Sequence, residues 1–438
     1  MRALDIWSNG IHVGTLSDAE DIWTFDYTKD WLSREHSFDL SPALSREKGR
    51  IIDGSSVRPV QWYFDNLLPE ERMREVLAKE AAIPWQDSFG LLAYFGAESA
   101  GSLVLLDPTQ SADEEQGLAL LPDETLSARI NNLPNVSLTH DAPKKMSLAG
   151  AQHKLLVVIQ DGQLFEPLRG TPSTWILKPL HQSDAYPASV INEYFTMRLA
   201  KALALDVPDV DLRYVPEPVY LIKRFDRKAT EAGHDRLHVI DSCQLLNKAP
   251  SFKYLGANVD ALQAAIGECL GPAAARLRLF EWTVFNILIG NGDNHLKNIS
   301  FMVDHFGIRP APTYDLLSTA VYETRALAGG RENWPHTELA FTLGEAKRFS
   351  DVTRGNIIAA GLHIGLAETT VLRVLNGFID KLPGIATTLI EEVIATSQAK
   401  IAASPDPTRA QAFSAGDQRL LNSIRHIIIP DMLQRVAK

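Results

Sequence analysis

The sequence predicts an α+β protein, with a small strand-rich first part and a larger second unit that turns from mixed strands to helices. Three observations predict it. Apolar and polar residues alternate around an Asn-Gly pair near the start. A segment rich in Pro, Asp, Asn and Ser interrupts the pattern over 107–145. From about Asp260 to Gly290 the chain reads as mainly helical.

The opening elements follow from local chemistry. Asp5 to Ser8 and Ile11 to Leu16 flank Asn9-Gly10, a pair suited to a type I′ hairpin because both central residues need positive φ. A third strand runs from Ile22 to Tyr27. A helix is expected from Leu68 to Ala81, with Pro69 early in it and Glu70-Glu71 favouring its N-terminus. Residues 1–105 form a small α+β subdomain on this reading. Residues 106–145 form a connector with one short helix around Asp123 to Asn131. The second unit opens with strands at Lys154 to Ile159, Thr174 to Leu177 and Val219 to Arg224, and a helix from Ser189 to Leu203. A hairpin follows the helical stretch, Ile299 to Val303 and Ile308 to Pro310. More helices fill 352–400, and a tail from 403 to 438 ends in a helix from Ala415 to Ala437.

Composition excludes several classes. The 438 residues imply two or more domains. The two cysteines, Cys243 and Cys269, have no CxxC partner, which argues against a disulfide framework and a thiolate zinc site. The first residues lack an apolar signal core, and no run of about 18 apolar residues occurs, so a cytoplasmic protein without membrane contact is expected. A net charge of −11 argues against a nucleic-acid binder that works alone.

The sharpest chemical signal is Ile289-Gly290-Asn291-Gly292-Asp293-Asn294-His295-Leu296-Lys297-Asn298. An acid followed five residues later by Asn has the spacing of a kinase catalytic loop, in which Asp accepts the hydroxyl proton and Asn binds metal. Asp315 lies 17 residues beyond Asn298, on the far side of the hairpin, where a second Mg²⁺ ligand is expected. Lys178 closes the apolar strand Trp175 to Leu177, and Glu193 on the next helix is its candidate partner, as in a kinase Lys–Glu pair. Taken singly, each is ordinary: a snorkelling Lys, a solvated Glu, a turn Asp, a capping His. Their order along the chain, Lys, Glu, Asp…Asn, Asp, points to phosphoryl transfer.

Several segments resemble the HipA family of toxin kinases. They are Met146 to Lys154 (Met-Ser-Leu-Ala-Gly-Ala-Gln-His-Lys), Tyr220 to Arg227 with its Arg-Phe-Asp-Arg end, Asp293 to Asn298, Pro312 to Ser318, and Phe64 to Glu70. The resemblance spans roughly residues 1–395 and implies a kinase fold with a β-rich N-terminal lobe and a mainly helical C-terminal lobe. The kinase core would cover 146–402, ATP-binding to about 240 and catalytic beyond.

The resemblance also implies roles. Ala149, Gly150, Ala151, Gln152, His153 and Lys154 would form the phosphate-binding loop, which carries one Gly rather than a Gly-rich pattern; its backbone N–H groups can still form an anion nest. Lys178 would contact phosphates, and Lys223 and Phe225 would lie by the adenine. His295, Lys297, Asn298 and Tyr314 would contact nucleotide or metal. Asp293 would be the catalytic base, Asn298 and Asp315 the Mg²⁺ ligands, and Ser147 a regulatory autophosphorylation site. The implied cofactors are ATP and Mg²⁺. The implied partners are a protein substrate, such as an aminoacyl-tRNA synthetase whose loss arrests growth, and a HipB-type helix-turn-helix antitoxin through which the acidic chain would reach DNA. Two rival readings are a small-molecule phosphotransferase and a non-catalytic corepressor.

Overall fold

The computed structural model describes residues 1–110, 116–146, 148–231 and 233–438. Its helices and antiparallel sheets make it a mixed α+β structure, 42% helical and 21% strand. The chain divides into two compact units, each assembled from three segments. The first comprises Met1–Leu177, Lys223–Phe252 and Ser300–Ala311; the second comprises Lys178–Ile222, Lys253–Ile299 and Pro312–Lys438.

In the first unit, the expected opening hairpin forms. Arg2–Ser8 and Ile11–Ala19 pair antiparallel, with Asn9 at φ 47° and Gly10 at φ 75° in the turn. Ile22–Tyr27, Arg50–Ile52 and Leu103–Leu106 complete a five-stranded sheet, in which Leu103–Leu106 pairs with the first strand. The alternation buries one face: Leu4, Ile6, Trp23, Phe25 and Tyr27 are all core residues. Aromatic contacts join this face to the helices Pro59–Asp65 and Ser88–Phe95. Trp23 meets Phe89 at 5.3 Å between ring centroids, and Phe25 meets Phe64 at 5.8 Å. Gly14 is required here, because a Cβ would stand 2.5 Å from Asp26 O.

The next helix is Glu71–Ala81, three residues shorter than expected at its start. Leu68 precedes Pro69, whose ring disfavours helical backbone in the residue before it. A helix does run over Asp123–Asn131, and Arg129 on it pairs with buried Glu166 at 2.7 Å. Leu118–Leu120, Gln163–Pro167, Leu155–Gln160 and the start of Trp175–Pro179 lie side by side, all antiparallel. His238–Asp241, Ser300–Asp304 and Gly307–Pro310 form a separate three-stranded sheet that contains the expected second hairpin.

In the second unit, the helix Ser189–Ala202 is buried from Ser189 through Met197, on every face. A helix apolar all round is unremarkable in a core. This one also buries Asn192, Glu193 and Thr196, and such polar groups need partners. The helices Val259–Gly267, Pro272–Leu288, Arg354–His363 and Glu368–Ala402 follow. The tail differs from the single helix expected over 415–437. Asp417–Ser423 opens into a π-turn at Ile424–Ile428 before Ile429–Ala437 resumes. Pro430 is the reason: it lacks an N–H, and its ring would clash with the carbonyl four residues back.

Candidate active site

The Asp293 loop is built on the end of a buried helix. Pro272–Leu288 packs its last residues, Trp282 to Leu288, wholly inside, and Gly290 at φ 67° then reverses the chain. A Cβ at Gly290 would come within 2.8 Å of Ile428 Cγ2 and 3.2 Å of Ala320 Cβ, so both conformation and space demand glycine. Asn291 pins the turn: its Oδ1 accepts from Asp293 N at 3.0 Å, and its Nδ2 donates to Asn286 Oδ1 at 2.7 Å. Gly292 N donates to Thr319 Oγ1 at 2.6 Å. The Asp293 carbonyl accepts from His295 N at 2.9 Å and from Asn298 Nδ2 at 2.8 Å. The five-residue spacing read from sequence is thus closed by a direct hydrogen bond, which leaves the Asn298 amide oxygen as its acceptor end.

Asp315 sits in strained backbone at φ 58°, a region that Asp tolerates better than most residues. Its neighbours hold it there. Tyr314 Oη donates to Lys297 O at 2.8 Å. Asn192 clamps Ser318 from both sides, with Nδ2 donating to Ser318 O and Oδ1 accepting from Ser318 N, each at 2.9 Å. The next residue on that helix, Glu193, receives Lys178 Nζ at 2.7 Å, and the same ammonium lies 2.5 Å from Asp315 Oδ1. Burial would push the Lys178 pKa down. The Asp315 and Glu193 carboxylates outweigh it and hold the ammonium well above the usual lysine range, so it stays charged.

Asp293 is shifted upward, first by burial and then by the like charge of Asp315; His295, the Tyr254 hydroxyl and Lys253 oppose the shift. Tyr254 Oη donates to Asp293 Oδ1 at 2.8 Å, and its ring meets His295 edge-on at 4.9 Å. A group of mixed carboxylates, one buried cation and a metal-competent amide is suited to holding polyanionic phosphate beside a proton acceptor.

Lys178, Asp293, His295, Lys297, Asn298, Tyr314 and Asp315 all fall in the second unit, where Lys178 bonds Asp315, Asn298 bonds Asp293 and Tyr314 bonds Lys297. Ala149 to Lys154, Lys223 and Phe225 fall in the first. There Lys154 Nζ donates to Ala149 O at 2.6 Å, and Gly150 takes φ 111°, where a Cβ would stand 2.7 Å from that ammonium. Lys223 is exposed at its strand end and Phe225 is half-buried. Ser147 lies outside the described residues. Sequence reasoning missed Asn192, Tyr254 and Thr319. Asn192 could have been flagged as a second polar residue beside Glu193 on an apolar helix. Tyr254, 39 residues before Asp293, leaves no local signal.

Comparison with known proteins places the chain in a family. The chain matches the HipA-like C-terminal domain over residues 146–385 and the HipA N-terminal domain over 4–106. It is 34% identical over 335 residues to a putative kinase of Sinorhizobium fredii, covering 74% of this chain and 78% of that protein. It is 32% identical over 343 residues to the serine/threonine-protein kinase toxin HipA of Shewanella oneidensis, covering 73% and 76% respectively. It also superposes on a chain of the Shewanella oneidensis toxin–antitoxin complex of HipA, HipB and operator DNA. The TM-score is 0.75 at 25% identity, with 98% of this chain and 99% of that chain covered. Among the described residues, no helix is long and apolar enough to cross a membrane. On these grounds the chain belongs to the HipA family of serine/threonine kinases.

Proposed function

We propose that this chain transfers the γ-phosphoryl group of ATP to a serine or threonine of a cellular protein, with Asp293 as the base. The observation that carries the reading is the charge arrangement in the second unit. One buried ammonium, Lys178, bridges Glu193 and Asp315, while Asn298 is tied to Asp293. That is the inventory phosphoryl transfer requires: a cation for phosphate, two hard metal ligands and a proton acceptor.

Asn298 and Asp315 would hold Mg²⁺. An amide oxygen and a carboxylate suit this hard cation, which takes few protein ligands and completes its shell with phosphate oxygens and water. Among the described residues, no cluster of three or more His, Cys, Asp or Glu side chains offers a fuller cage. When bound, the ion neutralises phosphate charge. Lys178 orients the phosphates, and Asp293 receives the acceptor hydroxyl's proton as the new P–O bond forms. His295, Lys297 and Tyr314 stiffen the loop and its neighbour. Ala149 to Lys154, Lys223 and Phe225 are proposed to bind phosphate and adenine, on family resemblance.

A labelled-ATP transfer assay with phosphoamino-acid analysis tests the reading. Phosphoserine or phosphothreonine is the expected product, and a small-molecule panel that takes the label instead would overturn it. Lys178→Met is expected to reduce transfer by about 10²–10³-fold, the scale for loss of one preorganised charge contact. It also takes the buried ammonium away from buried Glu193, so a lowered melting temperature should accompany the lost activity.

Ser147 is proposed as a regulatory autophosphorylation site, because a phosphate there would add about −2 charge beside the loop assigned to ATP phosphates. Ser147→Ala is expected to remove the main phosphopeptide by mass spectrometry; the phosphate found elsewhere would refute it. A HipB-type antitoxin is the proposed partner, supported by the Shewanella complex, with DNA reached through it. An aminoacyl-tRNA synthetase is the proposed target, and phosphoproteomics after induction tests it: a synthetase phosphosite is expected.

A further inference from the structure

A serine or threonine about to be phosphorylated must first donate its hydroxyl hydrogen to the general base, at about 2.6–3.2 Å. In this structure such a bond already exists. Tyr254 Oη donates to Asp293 Oδ1 at 2.8 Å. Tyr254 belongs to the four-residue helix Phe252–Leu255 at the surface: Tyr254 is 44% exposed and Leu255 84%. The loop's own bonds, with Asn291, His295 and Asn298, go to the Asp293 backbone N–H and carbonyl and not to its carboxylate. The Tyr254 ring is steadied by the edge of His295 and by the Lys253 ammonium, 4.9 Å from its centroid.

We propose that the Tyr254 hydroxyl stands in the acceptor's place on Asp293, capping the base against water until the serine or threonine of a protein substrate displaces it. The proposal rests on the phosphotransfer reading above. Tyr254 and Leu255 face solvent, so a docking protein meets this short turn directly and can displace the hydroxyl. The cap serves specificity. With the base open, water would take the position, lose its proton to Asp293 and attack the γ-phosphorus. The bridging P–O bond would break, and ADP and inorganic phosphate would leave without any protein being modified. A capped base limits that wasteful reaction to the brief openings of the helix.

The test is steady-state phosphate release from MgATP by the full chain with no protein acceptor. Tyr254→Phe is expected to raise that hydrolysis on the order of tenfold, the scale of one hydrogen bond to a charged group, with KM for ATP unchanged. Tyr254→Leu should act in the same direction, and Asp293→Asn should abolish the gain in both backgrounds. A purely supportive tyrosine would do the opposite, so hydrolysis that is unchanged or slower in Tyr254→Phe overturns the proposal. A second readout needs no turnover. The ultraviolet Raman difference spectrum, wild type minus Tyr254→Phe, should report a strongly donating tyrosine hydroxyl, and that signature should vanish in Asp293→Ala. Its presence in Asp293→Ala would also overturn the proposal. Failure of the parent reading looks different: no Asp293-dependent transfer to any protein, this chain included. Intact autophosphorylation with an indifferent Tyr254→Phe sinks the cap alone.

Discussion

Asp293→Asn is expected to lower phosphoryl transfer by about 10²–10⁴-fold, the range contributed by a positioned general base, while ATP binding stays intact. The argument is geometric. Asn is isosteric with Asp, so the backbone bonds that define the loop survive, namely those from Asn298 Nδ2, from His295 N and to Asn291 Oδ1. Its Oδ1 can still accept from Tyr254. What disappears is the ability to take a proton. Autophosphorylation with labelled ATP reads the first quantity and titration calorimetry with MgATP reads the second. Near-normal transfer in the variant would remove Asp293 from the mechanism. Loss of both together would make it a structural residue.

The second large effect is expected far from that chemistry, in the first unit. Glu98 is fully buried, and its carboxylate receives Lys144 and Arg236 at 2.6 Å, Arg227 at 2.8 Å and Arg224 at 3.2 Å. Burial alone would raise its pKa, but the four cations hold it well below the usual carboxylate range. Asp226, held by Arg224 at 2.6 Å and by Gly101 N at 2.8 Å, is the other anion of the cluster. Glu98→Gln leaves these buried cations facing one another across a neutral amide. Breaking a single buried pair costs about 3–5 kcal/mol, and this carboxylate serves several pairs. We expect loss of hydrogen-exchange protection in Leu103–Leu106, Arg227–Thr230 and Gly233–Arg236, with poor soluble yield. Unchanged protection there would mean that water already screens the cluster. Glu98→Asp should be milder, since it keeps the charge.

This cluster also recasts one motif. The Arg224-Phe225-Asp226-Arg227 segment resembles the HipA family's Arg-Phe-Asp-Arg strand end, in which Phe225 would lie by the adenine. In the structure its three charged residues are buried in the Glu98 network, and Phe225 is the member left half-buried. The motif's charges therefore serve the fold of the first unit, whatever Phe225 touches.

What could be read in advance was local. Asn9-Gly10 dictated a hairpin because positive φ is a property of those two residues. Asp293 and Asn298 were legible because their five-residue spacing lies within one tight loop, although Thr319 and Ala320 also hold that loop. The Lys178–Glu193 pair was legible because a buried strand lysine needs a nearby anion, and the next helix offered one. Long-range contacts left no such trace. Glu98 meets Arg227 across 129 residues, and Asn192 meets Ser318 across 126, with no periodicity to mark either pairing. The left-handed backbone at Asp315 was equally silent, because it is imposed by the Asn192 clamp and Tyr314 rather than by the residue's own preference.

The threefold interleaving of the two units bears on how the protein is made. The first unit needs Ser300–Ala311 to finish its three-stranded sheet, yet that stretch leaves the ribosome after most of the second unit's early residues. The five-stranded sheet, whose strands all lie between Arg2 and Leu106, can form early, but the complete first unit cannot close until residue 311 has been made, and no single truncation can release either body intact.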